Sequence, residues 1–490
     1  MNAPQKTKVE FGDFQTPPSL AEKCIERIND RIYKTATLIE PTCGKGNFLK
    51  AAVRLGFDRY IGWEINDDYV VQAKSLLKNE PVSIEKKDFF SIDWNTNFDY
   101  KFPITFVGNP PWVTNAVLGQ INGGNLPEKS NFQKHNGFDA ISGKSNFDIS
   151  EWMLIKILDF ISGKKASMAF LIKTSVARKL FIHAQQNQLA VSEFDIYEID
   201  AKKHFDVSVD ACFFVVSGFK APPKKYKCNI YNSLDCKYPR KTMGFSSGKL
   251  VADLKTYEAL ETIDCGSEIQ WRSGVKHDCS KVMEFRDSVD GLKNGFGNFL
   301  NLPNDYIFPM YKSSAIAKEV LPTPSTFMLV TQRRVGEETE SIKSNSIETW
   351  NYLNQYKDKL GARRSTIYKK APQFAIFGVG EYTFKPWKVA ISGLYKNRRF
   401  QLVGQYQGKP IVLDDTCYSL GFNTEQEALF VLELLTSELA EKFIESIVFE
   451  DNKRPITAGL LNRISLFNLA VLTERENEFR SIFPDLLERI

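Results

Sequence analysis

The sequence predicts an α/β domain built on a mostly parallel sheet, followed by a mixed α+β domain. Three observations predict it. Over residues 1–220 short apolar runs alternate with stretches of helical periodicity, the pattern of helices packed on both faces of a parallel sheet. Beyond "KAPPKKYK" (220–227), where two prolines interrupt a charged stretch, the pattern changes to short strand-like runs among Gly, Pro and aromatic residues. The chain then closes on amphipathic stretches such as "TEQEALFVLELLTSELAEKFIESIVF" (424–449). The domain limits expected are 1–220, 221–420 and 421–490.

The apolar runs of the first domain are "ATLIEP" (36–41), "YIGWEI" (60–65), "VSIEKKD" (82–88), "ITFVGN" (104–109), "ASMAFLIK" (166–173), "FDIYEID" (194–200) and "ACFFVV" (211–216). Segments such as "GNFLKAAVRLG" and "NDDYVVQAKSLLKNE" lie between them, with apolar residues at helical spacing. The last two runs stand too close for a helical crossover, so that edge of the sheet is expected to turn antiparallel. The polar, Gly- and Asn-rich stretch 117–148 reads as a long functional loop. In the second domain "PQFAIFGVGEYTFKPWKVAISG" (372–393) is the clearest strand-bearing segment.

No run approaches the 18 or so apolar residues of a membrane span, and the start lacks the apolar core of a signal peptide. A cytoplasmic location is the expectation. The eight cysteines form no CxxC pair. Cys228, Cys236, Cys265, His277 and Cys279 have no spacing typical of zinc, so no metal is expected. Net charge is +5, but it is unevenly spread. Residues 221–410 hold 30 Lys+Arg against 18 Asp+Glu, whereas 411–490 hold 7 against 15. The basic stretch carries the pairs Arg333-Arg334, Arg363-Arg364 and Arg398-Arg399, with Lys385 and Lys388. Such a surface draws a polyanion, or is merely a solvated basic face.

In parallel α/β sheets ligands sit beyond the carboxyl ends of the strands. The first strand ends "IEPTCGKGNFL": Glu40, Pro41 and Cys43, then Gly44 and Gly46 before a helix. The two glycines permit a tight turn and close backbone approach, but neither GxGxxG nor the phosphate loop GxxxxGK[ST] is present. The second strand ends at Glu64-Ile65, where the carboxylate suits ribose hydroxyls. The third ends at Asp88-Phe89, a carboxylate for an adenine amine and a ring to pack on the base. Helix capping and core packing are the plainer uses of these residues. Together they imply an adenosine held without a phosphate loop, which suits S-adenosylmethionine better than a dinucleotide.

The fourth strand runs into Asn109-Pro110-Pro111-Trp112. The prolines lack N–H groups and stiffen the turn. The Asn109 side-chain oxygen and the Pro110 carbonyl can then receive both hydrogens of one planar amine, with Trp112 as a flat face for the ring that bears it. A structural turn plugged by an aromatic is the alternative.

"NPPW" resembles the [DNS]PP[YFW] motif of amino-group DNA methyltransferases. "IEPTCGKGNFL" is similar to their cofactor loop, and "FGDFQTPPSLAEKCIERI" to their cofactor-contacting FxTP segment, here Phe14, Thr16 and Pro17. The order of these segments is that of the gamma class. The resemblance spans about residues 10–220, and "FDVSVDACFFVV" places Phe205 where that family stacks the flipped base. It implies a Rossmann-like S-adenosylmethionine-dependent fold and methylation of adenine N6 in double-stranded DNA within a restriction–modification system. Many members of that family carry a fused endonuclease ahead of the methyltransferase; here the cofactor segment begins by residue 11, so a stand-alone modifier is the expectation, with a separate restriction endonuclease as a candidate partner. Segments in 221–420 resemble the family's target-recognition region, which makes the three Arg pairs, Lys385 and Lys388 candidate DNA contacts. Cytosine N4, adenine in RNA, a protein glutamine, and a decayed non-catalytic binder are the alternatives.

Overall fold

The computed structural model describes residues 14–30, 37–94, 103–113, 148–289, 291–300, 302–452 and 454–489. The stretch 117–148 falls, but for Asp148, outside them. The chain divides into two compact units, Met1–Lys255 and Thr256–Ile490.

All seven apolar runs of the first unit become strands: β1 (Thr37–Glu40), β2 (Arg59–Glu64), β3 (Val82–Lys86), β4 (Ile104–Gly108), β5 (Ala166–Lys173), β6 (Val191–Ile199) and β7 (Ala211–Gly218). The helices that follow them include α1 (Pro18–Ile28) ahead of β1, α2 (Asn47–Ala52), α3 (Asp67–Leu76), α4 (Ile149–Ile161), α5 (Thr174–Gln186) and α6 (Ala201–Phe205). β4 and β7 are buried along their whole length, as strands covered on both faces should be. β3-β2-β1-β4-β5 run parallel, and β7 pairs antiparallel with both β5 and β6. β1 lies between β2 and β4, so the strand order reverses there. Such a switch point opens a crevice at the strands' carboxyl ends.

The expected boundary at 220 falls inside this unit. Three further strands, β8 (Lys227–Tyr231), β9 (Lys241–Ser246) and β10 (Lys249–Val251), extend the sheet to ten, with β8 parallel to β6. The reason is the edge that β6 would otherwise expose. Tyr231 of β8 stacks on fully buried Tyr197 of β6 at 4.5 Å, and the Tyr226 hydroxyl donates to the Leu189 carbonyl. Pro222 and Pro223 mark a crossing, not a domain end.

The second unit carries a four-stranded sheet ordered 272–273, 417–422, 387–392, 400–403 and a five-stranded sheet ordered 293–294, 284–286, 326–329, 307–311, 412–413. Of the segment 372–393 only Trp387–Ser392 is strand. The acidic tail belongs to this unit. Its first helix, Glu425–Leu435, opens with a capping box between Thr424 and Glu427, and Glu438–Ile447 follows. We expect a fragment ending at Lys255 to unfold cooperatively. One ending at Lys220 should bare the β6 edge and melt at least 10 °C lower, measured by circular dichroism.

Candidate active site

At the switch point the ends of β1 and β4 meet the segment 14–16 that leads into α1. Pro18 occupies the first turn of α1, where its missing N–H is no loss, and residues 14–17 run up to it without helix or strand. Three side chains stitch this segment across the strand ends. The Asn109 amide nitrogen donates to the Phe14 carbonyl (2.7 Å) and to the Thr16 hydroxyl (3.2 Å). Asn47, at the start of α2, donates to the Thr16 carbonyl (2.8 Å), and Gln15 accepts from the Lys45 N–H (3.1 Å).

These elements enclose a hollow of about 280 Å³, part of it open to solvent. It is lined by Phe14, Gln15, Thr16, Glu40, Thr42, Cys43, Gly44, Asn47, Phe48 and Asn109. Six of the residues singled out in the sequence thus come together: Phe14, Thr16, Glu40, Cys43, Gly44 and Asn109. Gln15, Thr42 and Asn47 lay inside the same motifs, yet nothing in residue type alone distinguished them.

The lining is rich in acceptors and holds no Lys, Arg or His. Three of its oxygens, Glu40 Oε2, Thr42 Oγ1 and Asn109 Oδ1, are buried without a hydrogen-bond partner among the described residues. Leaving buried polar atoms unpaired costs about 1–3 kcal/mol each, so the hollow favours a ligand that brings N–H or O–H groups, or positive charge. Burial pushes the Glu40 carboxyl well above the usual carboxylate range; the Leu49 N–H opposes this in part, and the Glu64 charge adds to it. Gly108, at the end of β4, has φ +147°, and a Cβ there would lie 3.3 Å from Glu40 Cγ. A bare backbone at Gly108 therefore seats the carboxylate.

Glu64 works inward. Its two oxygens accept from the Gly44 N–H (2.8 Å) and the Asn66 N–H (2.9 Å), fixing the glycine turn. Gly44 sits at φ +51°, where a side chain is strained, and a Cβ there would also displace the Gln15 amide, 2.6 Å away. Burial, then the charges of Glu40 and Glu64, raises the Cys43 thiol far above its ordinary value. Cys43 is a neutral wall, not a nucleophile.

Other candidates lie outside the lining. Ile65 is solvent-exposed beside Glu64. Asp88 caps the short turn Phe89–Ser91 by accepting from the Phe90 N–H, and Phe89 packs against Phe90 and Trp94. Pro17 caps α1, Gly46 caps α2, and Pro41 is buried.

After Asn109 the corner is held from behind. Pro110 is buried and Pro111 half-buried. The Trp112 indole N–H donates to the Leu171 carbonyl, and its ring meets Phe205 edge-on at 5.2 Å and Phe14 at 5.8 Å. The structure brings Trp112 and Phe205 together as the sequence suggested, but with no gap for a third ring between them. Lys173, at the end of β5, donates to the Trp112 carbonyl (3.3 Å) and pairs with buried Asp148 (2.5 Å), which also caps α4.

No family model matches the chain. A type II methyltransferase of Nostoc sp., M.NspV, is 43% identical over 477 residues, covering 95% of this chain and 98% of that one. This chain belongs to the type II methyltransferases. M.VspI of a Vibrio species is 32% identical over 21% of this methyltransferase and 26% of its own length. Among solved structures, the type IIL restriction-modification enzyme MmeI, determined in complex with DNA, superposes with a TM-score of 0.53 at 13% identity. The match covers 94% of this chain and 69% of MmeI, which supports the fold.

In the second unit of this methyltransferase the basic candidates divide. Lys388 is 1% exposed, bonds the Lys385 carbonyl, and is pushed down to about 7 by burial. It is a core residue and not a surface contact, which corrects its assignment. Arg363 spends its guanidinium on the carbonyls of Leu360, Ala375 and His277 and lies over Tyr368 at 3.7 Å. Arg398 pairs with Glu445 and Glu450, and Lys385 donates to Asn423. Arg333, Arg334, Arg364 and Arg399 are exposed.

Two outcomes follow from the hollow. Gly108→Ala should cost about 1–3 kcal/mol in urea unfolding through its backbone strain and should displace Glu40, lowering methyl transfer more than tenfold. A raised Glu40 holds its proton in the folded chain but loses it at about pH 4.3 when unfolded. The stability it contributes is therefore full below that pH and is lost as pH rises through the folded value. Unfolding measured from pH 4 to 9 should show the wild type losing stability relative to Glu40→Gln as pH rises.

Proposed function

We propose that this methyltransferase moves the methyl group of S-adenosylmethionine to the 6-amino nitrogen of an adenine swung out of duplex DNA, as the modification part of a restriction–modification system. The observation that carries the reading is the state of Asn109. Its amide nitrogen is committed to Phe14 and Thr16, which fixes its rotamer, while its buried oxygen has no partner among the described residues. An acceptor held in that way waits for an N–H that the described residues do not supply.

S-adenosylmethionine, when bound, supplies an electrophilic methyl on a sulfonium, with an ammonium and ribose hydroxyls elsewhere in the molecule. The hollow suits those groups. Glu40 offers a buried carboxyl group that a bound positive charge would favour in its ionised form, Thr42 has a hydroxyl with no partner among the described residues, and no cation stands in the lining to repel the ligand. Ile65 offers an exposed apolar face beside the glycine turn.

Adenine's 6-amino group is conjugated with its ring and is a poor nucleophile. Asn109 accepts one of its hydrogens and the Pro110 carbonyl the other, which turns the nitrogen lone pair out of the ring plane. Positioning and exclusion of water carry the rate. No thiol takes part, in keeping with the neutral Cys43. Extrusion of the base costs a few kcal/mol, offset by stacking on Trp112 and Phe205 once their edge-on contact opens. The duplex is gripped through phosphates by exposed cations of the second unit, Arg333, Arg334, Arg364 and Arg399 among them. The Asn at the head of the motif favours adenine over cytosine.

Incubation with methyl-labelled S-adenosylmethionine and plasmid should place label in DNA, recovered as N6-methyladenine after digestion. Asn109→Ala should lower that transfer at least a thousandfold, a loss larger than the roughly 1–3 kcal/mol of stability that goes with the bonds to Phe14 and Thr16. Label recovered only in N4-methylcytosine, RNA or protein would overturn the proposal.

A further inference from the structure

Residues 291–300 of the second unit form a hairpin whose tip is apolar and exposed. Phe296 is 39% and Phe299 55% accessible. A single exposed aromatic ring is ordinary, but two on one short turn form a patch of the kind that marks an interaction surface. The hairpin is not loosely held. Asn294, 5% exposed, accepts the N–H groups of Phe296 (3.0 Å) and Asn298 (3.1 Å) and donates to the hydroxyls of Tyr352 and Tyr356. Asn298 donates to Tyr356 as well (2.9 Å). The Gly295 N–H bonds the Lys281 carbonyl, and a Cβ on Gly295 would lie 2.5 Å from Lys281 Cα, so only glycine lets the turn dock there. Phe296 lies parallel to Tyr356, with ring centres 5.3 Å apart and planes 9° apart.

Cations surround this tip. The Lys359 and Lys281 ammonium groups lie 5.1 and 5.7 Å from the Phe296 ring centre, and Lys293 lies 4.2 Å from that of Phe299. Among the described residues no carboxylate pairs with any of the three. Lys359 opens onto the stretch 357–370, which has six Lys or Arg against one Asp. Of these Lys357, Lys359, Arg364, Lys369 and Lys370 are exposed.

A rigid projection with two exposed aromatic faces and unneutralised cations at its rim has two complementary demands on a partner: apolar planar surfaces and dense negative charge. Nucleic acid meets both. We infer that this hairpin is a DNA-contacting wedge, with Phe296 and Phe299 set against bases or a base step while Lys281, Lys293 and Lys359 bind the flanking phosphates. The inference rests on the proposed action on DNA, and adds where on the second unit the duplex is engaged. The ammonium groups that now lie near the rings would move to phosphate oxygens, freeing the aromatic faces. Because the hairpin is already ordered by Asn294, little conformational entropy is lost on contact.

The test uses the full-length protein and a 30-base-pair duplex of plasmid sequence that the wild type methylates, with affinity measured by fluorescence anisotropy across a range of salt concentrations. Phe296→Ala/Phe299→Ala should weaken binding about five- to fifty-fold with an unchanged salt slope, in line with base stacking. Lys281→Gln/Lys293→Gln/Lys359→Gln should reduce the salt slope by about 2–3, one phosphate per lysine. The single Phe299→Ala, whose ring has no packing on Tyr356, should show part of the loss and guards against misfolding of the double variant. If the wild type neither binds nor methylates the duplex, the proposed function fails and this inference with it. If the wild type binds and methylates while all three variants match it, the inference alone is overturned. Loss of binding to anionic vesicles without loss of binding to DNA would also overturn it.

Discussion

The site depends on how the Asn109 amide is spent. Its nitrogen bridges the Phe14 carbonyl and the Thr16 hydroxyl, joining a segment from the start of the chain to the end of β4. That bridge closes one wall of the hollow and leaves the amide oxygen without a partner among the described residues. If the side chain were free to rotate, oxygen and nitrogen would exchange places and the acceptor would be lost. Two acceptors on the nitrogen side remove that ambiguity. The same bridge orders residues 14–16, so Gln15 can cover Gly44 and Thr16 can receive Asn47.

Around this bridge the chain concentrates negative character where solvent is scarce. Glu40 and Glu64 are both nearly buried, yet they are used differently. Glu64 spends both oxygens on backbone N–H groups and is structural to the turn. Glu40 keeps one oxygen without a partner among the described residues, and burial raises its carboxyl. Burial first, and then proximity to the Glu40 and Glu64 carboxyl groups, holds Cys43 as a thiol. A site built in this way is unfavourable when empty and improves with a cationic, donor-bearing ligand, which is how binding energy can be stored in a folded scaffold.

The second unit shows why charge counts overstate surfaces. Lys388 and Arg363 contribute to the formal basicity of the region, but one is enclosed and the other is consumed by backbone carbonyls. Cations that stay available are fewer and cluster elsewhere, with exposed aromatic rings beside them at the 291–300 hairpin.

Most of the first fold was legible in the sequence because buried strands leave continuous apolar runs, and each of the seven runs became a strand. The motif residues Glu40, Gly44 and Asn109 were legible too, because they stand at strand ends where parallel sheets place their ligands. The boundary at 220 was not, since two prolines look the same in a linker and in a crossing; only the need to cover β6 decides between them. Nor could residue type show that Glu64 serves its own backbone, that Asp88 caps a turn, or that Trp112 and Phe205 touch edge-on. The sequence by itself determined where the first seven strands lie along the chain and the chemistry offered at their ends. Tertiary structure alone decided which of those groups face the hollow and which satisfy the protein, because a hydrogen-bonding side chain has a limited number of partners and only packing settles whether the chain or a ligand provides them.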